Sequence, residues 1–192
     1  MLSSHLPALQ IALPLAAAPL CVLLPRRLVF PFVLAVGWGS LGLAAMLFSR
    51  VIESGAFSYA LGGWSAPWGI EYRLDLLNAF VMLLVALIGA VVLAYAPASV
   101  AREIAAENQP HFYAAFLLCL TGLLGIGITG DAFNVFVFLE ISSLSTYGLI
   151  SLGRDRRALT AAYNYLILGT IGATFILIGI GLLYMMSGTL NM

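Results

Sequence analysis

Apolar residues fill this chain in long runs, and the polar residues gather in short breaks between the runs instead of alternating along them. A helix that crosses a bilayer needs about 20 mostly apolar residues. Six runs meet that length, over approximately residues 6–24, 28–49, 76–96, 111–129, 132–152 and 158–187. The pattern predicts an all-α, polytopic bundle of about six transmembrane helices, forming a single transmembrane domain over residues 1–192.

The breaks carry their own signals. Pro7, Pro14, Pro19 and Pro25 cluster in and just after the first run. They predict a kinked helix, since neighbouring helices can satisfy the carbonyls that proline frees. The one sizeable polar segment is RVIESGAFSYALGGWSAPWGIEYRLD, Arg50 to Asp75. It joins the turn formers Gly62, Gly63 and Pro67 to Tyr59, Trp64, Trp68 and Tyr72, and so predicts a short hairpin or turn at the membrane interface, where amphipathic rings prefer to lie. The sixth run is longer than one crossing requires, so its first turn is expected to project from the bilayer or to tilt along it.

Composition fixes the setting. The chain is 62% hydrophobic and 8% charged, with mean hydropathy +1.07, where a soluble domain has about 25% charged residues. This is the composition of an integral membrane protein in contact with the lipid bilayer. Eight cations balance eight anions, which leaves no basic patch for nucleic acid. All eight cations are arginine, and lysine is absent. Cys21 and Cys119 lie inside apolar runs with no CxxC or histidine at ligand spacing, so neither a disulfide framework nor a metal site is expected. The first 25 residues lack the charged start of a signal peptide and are followed by further spans, so the first helix is expected to be retained. Glycine-rich GLLGIGITG, Gly122 to Gly130, lies within a span and lacks the strand–loop–helix context of a nucleotide site. No cofactor is implied.

Charge placement sets direction. With the N-terminus outside, the inner connections hold Arg26, Arg27, Arg102, Arg154, Arg156 and Arg157, and the outer ones only Arg50 and Arg73. The positive-inside bias then puts both termini outside and the GRDRR turn, Gly153 to Arg157, in the cytoplasm of a cell with this protein in its plasma (inner) membrane.

The candidate chemistry is a single acid. Glu140 lies near the centre of the fifth run, where an ionised side chain costs about 2.5 to 3.5 kcal/mol or more. Burial favours the protonated acid and a cationic neighbour favours the carboxylate, so an acid held between the two can take and release a proton. Helical spacing puts Phe136, Ser143 and Tyr147 on its face, with Leu144 between them, and puts Val137, Ile141 and Leu152 on the opposite stripe. Ser143 and Tyr147 are the expected hydrogen-bonding neighbours of the acid. The alternative is a structural glutamate that ties two helices together. In the sixth run Thr160, Tyr163, Asn164, Thr170 and Thr174 follow roughly one side, with Gly169 and Gly172 allowing close approach. Asn164 and Tyr163 are candidates for a proton path, with packing as the alternative. His111, at the start of the fourth run, is of the residue type that exchanges protons near neutral pH. Asp131 is expected to cap the fifth helix.

The stretch GDAFNVFVFLEISSLSTYGLISLGRDRRALTAAYNYLILGTIGATFILIGIGLLYMMSGTLNM, Gly130 to Met192, resembles the fifth and sixth helices of the antiporter-like subunits shared by respiratory complex I and Mrp-type cation/proton antiporters. GGWSAPWGIEYRLDLLNAFVMLL, Gly62 to Leu84, resembles the segment leading into their third helix, most of all in the D-type subunit of the Mrp antiporters. The resemblance implies that Glu140 matches a proton-transfer glutamate that pairs with a lysine on the seventh helix. It implies other subunits of a membrane complex as partners, protons and either Na+ or K+ as the ions handled, and no covalent chemistry on this chain. The rival expectations are a proton-pumping subunit of complex I or a membrane hydrogenase, and a non-transporting structural or assembly protein. The sequence departs from the family in having six spans where the family has more than twice as many, in lacking lysine, and in carrying Asn164 where relatives often have a charged residue. It is therefore expected to act as the N-terminal portion of such a subunit, with the basic partner of Glu140 supplied from elsewhere.

Overall fold

The computed structural model describes residues 5–192 apart from Ser65 and Pro67. Pro67, one of the expected turn signals, lies outside the described residues. Among those described, the chain forms six long helices and one β-hairpin. The elements are α1 (Leu6–Leu23), α2 (Arg26–Ser54), β1 (Phe57–Ala60), β2 (Glu71–Leu74), α3 (Leu76–Glu103), α4 (Gln109–Ile128), α5 (Ala132–Ser151) and α6 (Arg156–Ser187). All six helices are long and apolar enough to cross a membrane, and the chain is a multi-pass membrane protein.

Local chemistry explains the boundaries. Asp75, Asp131 and Asp155 each accept a hydrogen bond from a backbone N–H at the start of the helix that follows, at 2.8, 2.7 and 2.9 Å. A carboxylate there satisfies an orphan amide and faces the positive end of the helix dipole. Asp131 thus has the capping role its position predicts. Pro7 and Pro110 occupy first-turn positions, where the missing N–H costs nothing. Gly188 ends α6 in the left-handed region at φ 71, a conformation open to glycine without steric penalty. Other prolines lie inside helices without ending them. Pro14 and Pro19 fall within α1, Pro31 falls within α2, and Pro97 is passed by α3, which continues to Glu103. The bundle's own packing holds these turns helical.

Consecutive helices run antiparallel and sort the connections to two ends. At one end Gly130 N–H donates to the Glu71 carbonyl at 2.9 Å, Ala132 N–H to Leu190 at 2.8 Å and Met192 N–H to Gly130 at 2.9 Å. The His5 ring and the Tyr59 hydroxyl meet there at 2.9 Å. At the other end Arg154 N–H donates to the Glu103 carbonyl at 3.1 Å, and its Nη2 donates to the Ile104 carbonyl at 3.2 Å. The six arginines of the short turns therefore share one end, and Arg50 and Arg73 share the hairpin end.

The hairpin pairs Phe57 with Leu74 and Ala60 with Glu71 in antiparallel register. Trp64 and Trp68 are exposed at its tip, as an interfacial pair should be, but Tyr72 is buried beneath it with Leu74. In a four-residue strand, side chains alternate between faces, and the inner face closes the core formed by Leu47, Met82, Leu124 and Ile128. Burial, with a smaller contribution from Tyr59, raises the Tyr72 phenol above its ordinary 10.0. The folded hairpin thus favours the neutral phenol. The stability this contributes is complete below pH 10.0, and it is lost as pH rises through the elevated folded value. An alkaline titration of tryptophan fluorescence should show the hairpin loosening as pH climbs from 10.0 through the elevated value, and Tyr72→Phe should remove the transition.

A second core, near the arginine-rich end, gathers Cys21, Val29, Val33, Leu93 and Leu117. Packing is uneven across the bundle. Helices α1 to α4 supply most of both cores, with Tyr72 and Leu74 of the hairpin and Phe138 of α5 completing the first, whereas α6 lies chiefly on α5, and only Ala162 and Ala173 of its 32 residues are buried.

Candidate functional site

Two glycines set how α5 sits on α4. A Cβ at Gly122 would stand 2.6 Å from the Phe138 carbonyl oxygen and from the Ser142 backbone nitrogen, and one at Gly125 would overlap the Phe138 ring. The absence of side chains here lets the two backbones touch, as small residues do at membrane helix interfaces. This seam buries Asn134, Phe138, Ser142 and Ser145. The hydroxyls of Ser142, Ser145 and Thr146 donate to the carbonyls of Leu139, Ile141 and Ser142 at 2.9, 2.6 and 2.8 Å, so they need no partner on α4. Thr146 also meets Cys119 Sγ at 3.5 Å.

Glu140 lies on the other side of α5. It precedes Tyr147 by seven residues, two helical turns, and so shares its stripe. Tyr147 is buried against α6, with its ring edge-on to Tyr165 at a centroid distance of 4.9 Å and its hydroxyl pressed on Gly169. Glu140 is half-buried and, among the described residues, makes no hydrogen bond or ion pair. Ser143, one turn on, is also half-buried and bonds neither to Glu140 nor to Tyr147. No guanidinium is at this depth among the described residues, because the arginines lie at the two ends.

The other expected site residues are not assembled around the acid. The contacts of Tyr147 with Tyr165 and Gly169 fix the register of α5 on α6. In that register Asn164 is roughly 15 Å along the bundle axis from Glu140, taking ~1.5 Å per residue. Asn164 and its neighbour Tyr163 are both exposed. The Cys119–Thr146 and Gly122–Ser142 contacts likewise put exposed His111 roughly 20 Å away, at the arginine-rich end.

One polar pair gives little sign of itself in the sequence. Gln10 Nε2 donates to the Ser40 carbonyl at 3.2 Å, both residues are fully buried, and Gln10 Oε1 and Ser40 Oγ have no partner among the described residues. The readable signal is a lone amide in an otherwise apolar first span.

Comparison with known proteins gives these positions a context. Residues 129–192 match the sequence model of a family described as NADH:quinone oxidoreductase/Mrp antiporter, TM. The whole chain is 44% identical to 38% of the N-type subunit of the NADH-quinone oxidoreductase of Desulforudis audaxviator. Over 96% of its length it is 31% identical to the D-type subunit of the Na(+)/H(+) antiporter of Bacillus subtilis, covering 37% of that protein. Among solved structures, a chain of the membrane-bound sulfane sulfur reductase, an archaeal respiratory membrane complex, superposes with TM-score 0.89 at 32% identity, over 97% of this chain and 38% of that one. A chain of the Mrp complex from Dietzia superposes with TM-score 0.87 at 26% identity, over 100% and 36% respectively. The chain thus spans little more than a third of the length of the relatives it matches.

Proposed function

Since the chain belongs with the membrane subunits of the NADH:quinone oxidoreductase/Mrp antiporter family, we propose that it forms the N-terminal part of a proton-translocating subunit, most like the D-type subunit of a monovalent cation/proton antiporter. The observation that carries the reading is Glu140: a carboxyl group near the middle of α5, half-buried and without a partner among the described residues. An acid at that depth that bonded a neighbouring helix would be glue. One that bonds nothing within its own bundle is available to a proton.

In this reading Glu140 takes a proton arriving along the stripe it shares with Ser143 and Tyr147, and gives it up when a cationic side chain comes close. That cation comes from a helix outside these six, packed where α6 leaves α5 and itself uncovered. His111 and Asn164 stand toward the arginine-rich end and serve the path's entrance rather than the exchange site. The arginine-rich end faces the cytoplasm of the plasma (inner) membrane, both termini face outside, and the remaining subunits of the complex supply the cation pathway. No covalent step falls to this chain.

A second reading, a subunit of a redox-driven proton pump, draws on the 44% identity to a protein named as an NADH-quinone oxidoreductase subunit. Everted membrane vesicles containing the assembled complex separate the two. After an acid-inside gradient is imposed, added Na+ or K+ should collapse it if the complex is an antiporter. A gradient that ignores both cations, and that forms only when an electron donor is supplied, would overturn the antiporter reading in favour of the pump.

A further inference from the structure

Where the ends of α3 and α5 meet the starts of α4 and α6, the arginine-rich end holds an open pocket of about 540 Å³. Its lining includes Arg102 and Arg154 together with the apolar side chains Phe112, Leu149, Ile150 and Ala158. We infer that this pocket binds an anionic phospholipid, with the headgroup phosphate on Arg102 and Arg154 and the start of an acyl chain over Phe112 and Ile150.

Three features favour that occupant. The first is charge. Among the described residues no ion pair engages Arg102, Arg154, Arg156 or Arg157, and the one side-chain bond among them is from Arg154 to the Ile104 carbonyl. Two acids, Glu103 and Asp155, also border the pocket. One Asp155 oxygen already accepts from the Arg157 backbone. The lining itself holds two arginines and two acids, and the cationic surplus belongs to this end of the bundle, whose six arginines outnumber Glu103, Glu107 and Asp155. The second is position. The pocket lies at the ends of membrane-spanning helices, the depth of lipid headgroups. Basic pockets between helices at that level suit anionic headgroups. The third is shape. A lining that joins cations to apolar side chains matches an amphiphile, whereas a small free anion leaves Phe112, Leu149 and Ile150 uncovered. Arg154 is also held in place by two bonds to the α3–α4 turn, so one side of the clamp is fixed before lipid arrives.

The test uses the native complex in phosphatidylcholine vesicles doped with a photoactivatable phosphatidylglycerol, or with a phosphatidylcholine bearing the same reactive chain. Label is mapped by peptide mass spectrometry. The glycerol lipid should label residues 149–158 and Phe112 well above the choline lipid. Arg102→Gln should lower that labelling about fivefold, the effect expected of one cation at a membrane surface, while Arg102→Lys should keep most of it. Arg102 is exposed and makes no hydrogen bond through its side chain among the described residues, so its replacement leaves the fold intact. Arg154→Gln serves as an independent variant with the same expected loss. Equal labelling by the two lipids, or labelling unchanged in Arg102→Gln, would overturn the inference. Loss of labelling in excess inorganic phosphate would also overturn it, because it would show a site for a soluble anion instead of a lipid.

Discussion

Glu140→Gln in the assembled complex is expected to lower proton flux by about 10²-fold or more, the scale on which a positioned proton-transfer group acts, with normal assembly. Glutamine keeps the size and shape of the side chain and removes only the exchangeable proton. Glu140 has no hydrogen-bond partner among the described residues, so the amide breaks nothing within the six helices, and it relieves the cost of placing a charge in hydrocarbon. The two readings of the residue therefore predict opposite patterns. A proton carrier loses flux and keeps its assembly, whereas a helix-tying glutamate loses assembly in the same measure as flux. Flux in reconstituted vesicles, normalised to assembled complex on a native gel, distinguishes them. Glu140→Asp should retain part of the activity, since it keeps the proton and shortens the reach.

Gly122→Val should act through packing alone. The valine Cβ would stand 2.6 Å from backbone atoms of Phe138 and Ser142, which no rotamer change can move aside, so α5 must lift off α4. Overpacking of a rigid site costs about 3 kcal/mol, a large share of the stability of most folded proteins. The complex should show a marked drop in detergent thermal stability and in yield. Gly42→Val, at an exposed position with nothing within 4 Å, should be close to neutral. Gly122→Ala places the same Cβ against the same backbone atoms, so it too should lift α5 from α4 and, because α5 carries Glu140, reduce flux by displacing the acid.

The six spans were legible because a bilayer demands long apolar runs and tolerates little else. Asp131 was legible as a cap because an acid just before an apolar run has few other uses. The details that escaped reading depend on partners rather than on the local sequence. The third apolar run stops at residue 96, just before Pro97, yet α3 continues to Glu103, since a helix in a bundle can carry a proline without ending. Tyr72 reads as an interfacial ring, but strand alternation turns it into the core. The serines of α5 look equivalent in the string ISSLST, and only the close approach at Gly122 and Gly125 shows that Ser142 and Ser145 line the α4 seam while Ser143 does not. The stripe bearing Glu140, Ser143 and Tyr147 follows from helical spacing, but the turn of Tyr147 toward Gly169 does not. Asn164 and His111 stood out by residue type, and residue type carries no information about depth. The register of α5 on its neighbours puts both well away from the acid.

Proton exchange at Glu140 itself can be observed by difference infrared spectroscopy of the protonated carboxyl stretch. The assembled complex would be stepped across its working pH range, with Glu140→Gln used to assign the band. A carboxyl band is expected that is absent from the variant, that changes intensity with pH, and that changes again when the part of the complex supplying the cation is removed. Wild-type and Glu140→Gln difference spectra that superimpose at every pH would contradict a proton-carrying role for this residue.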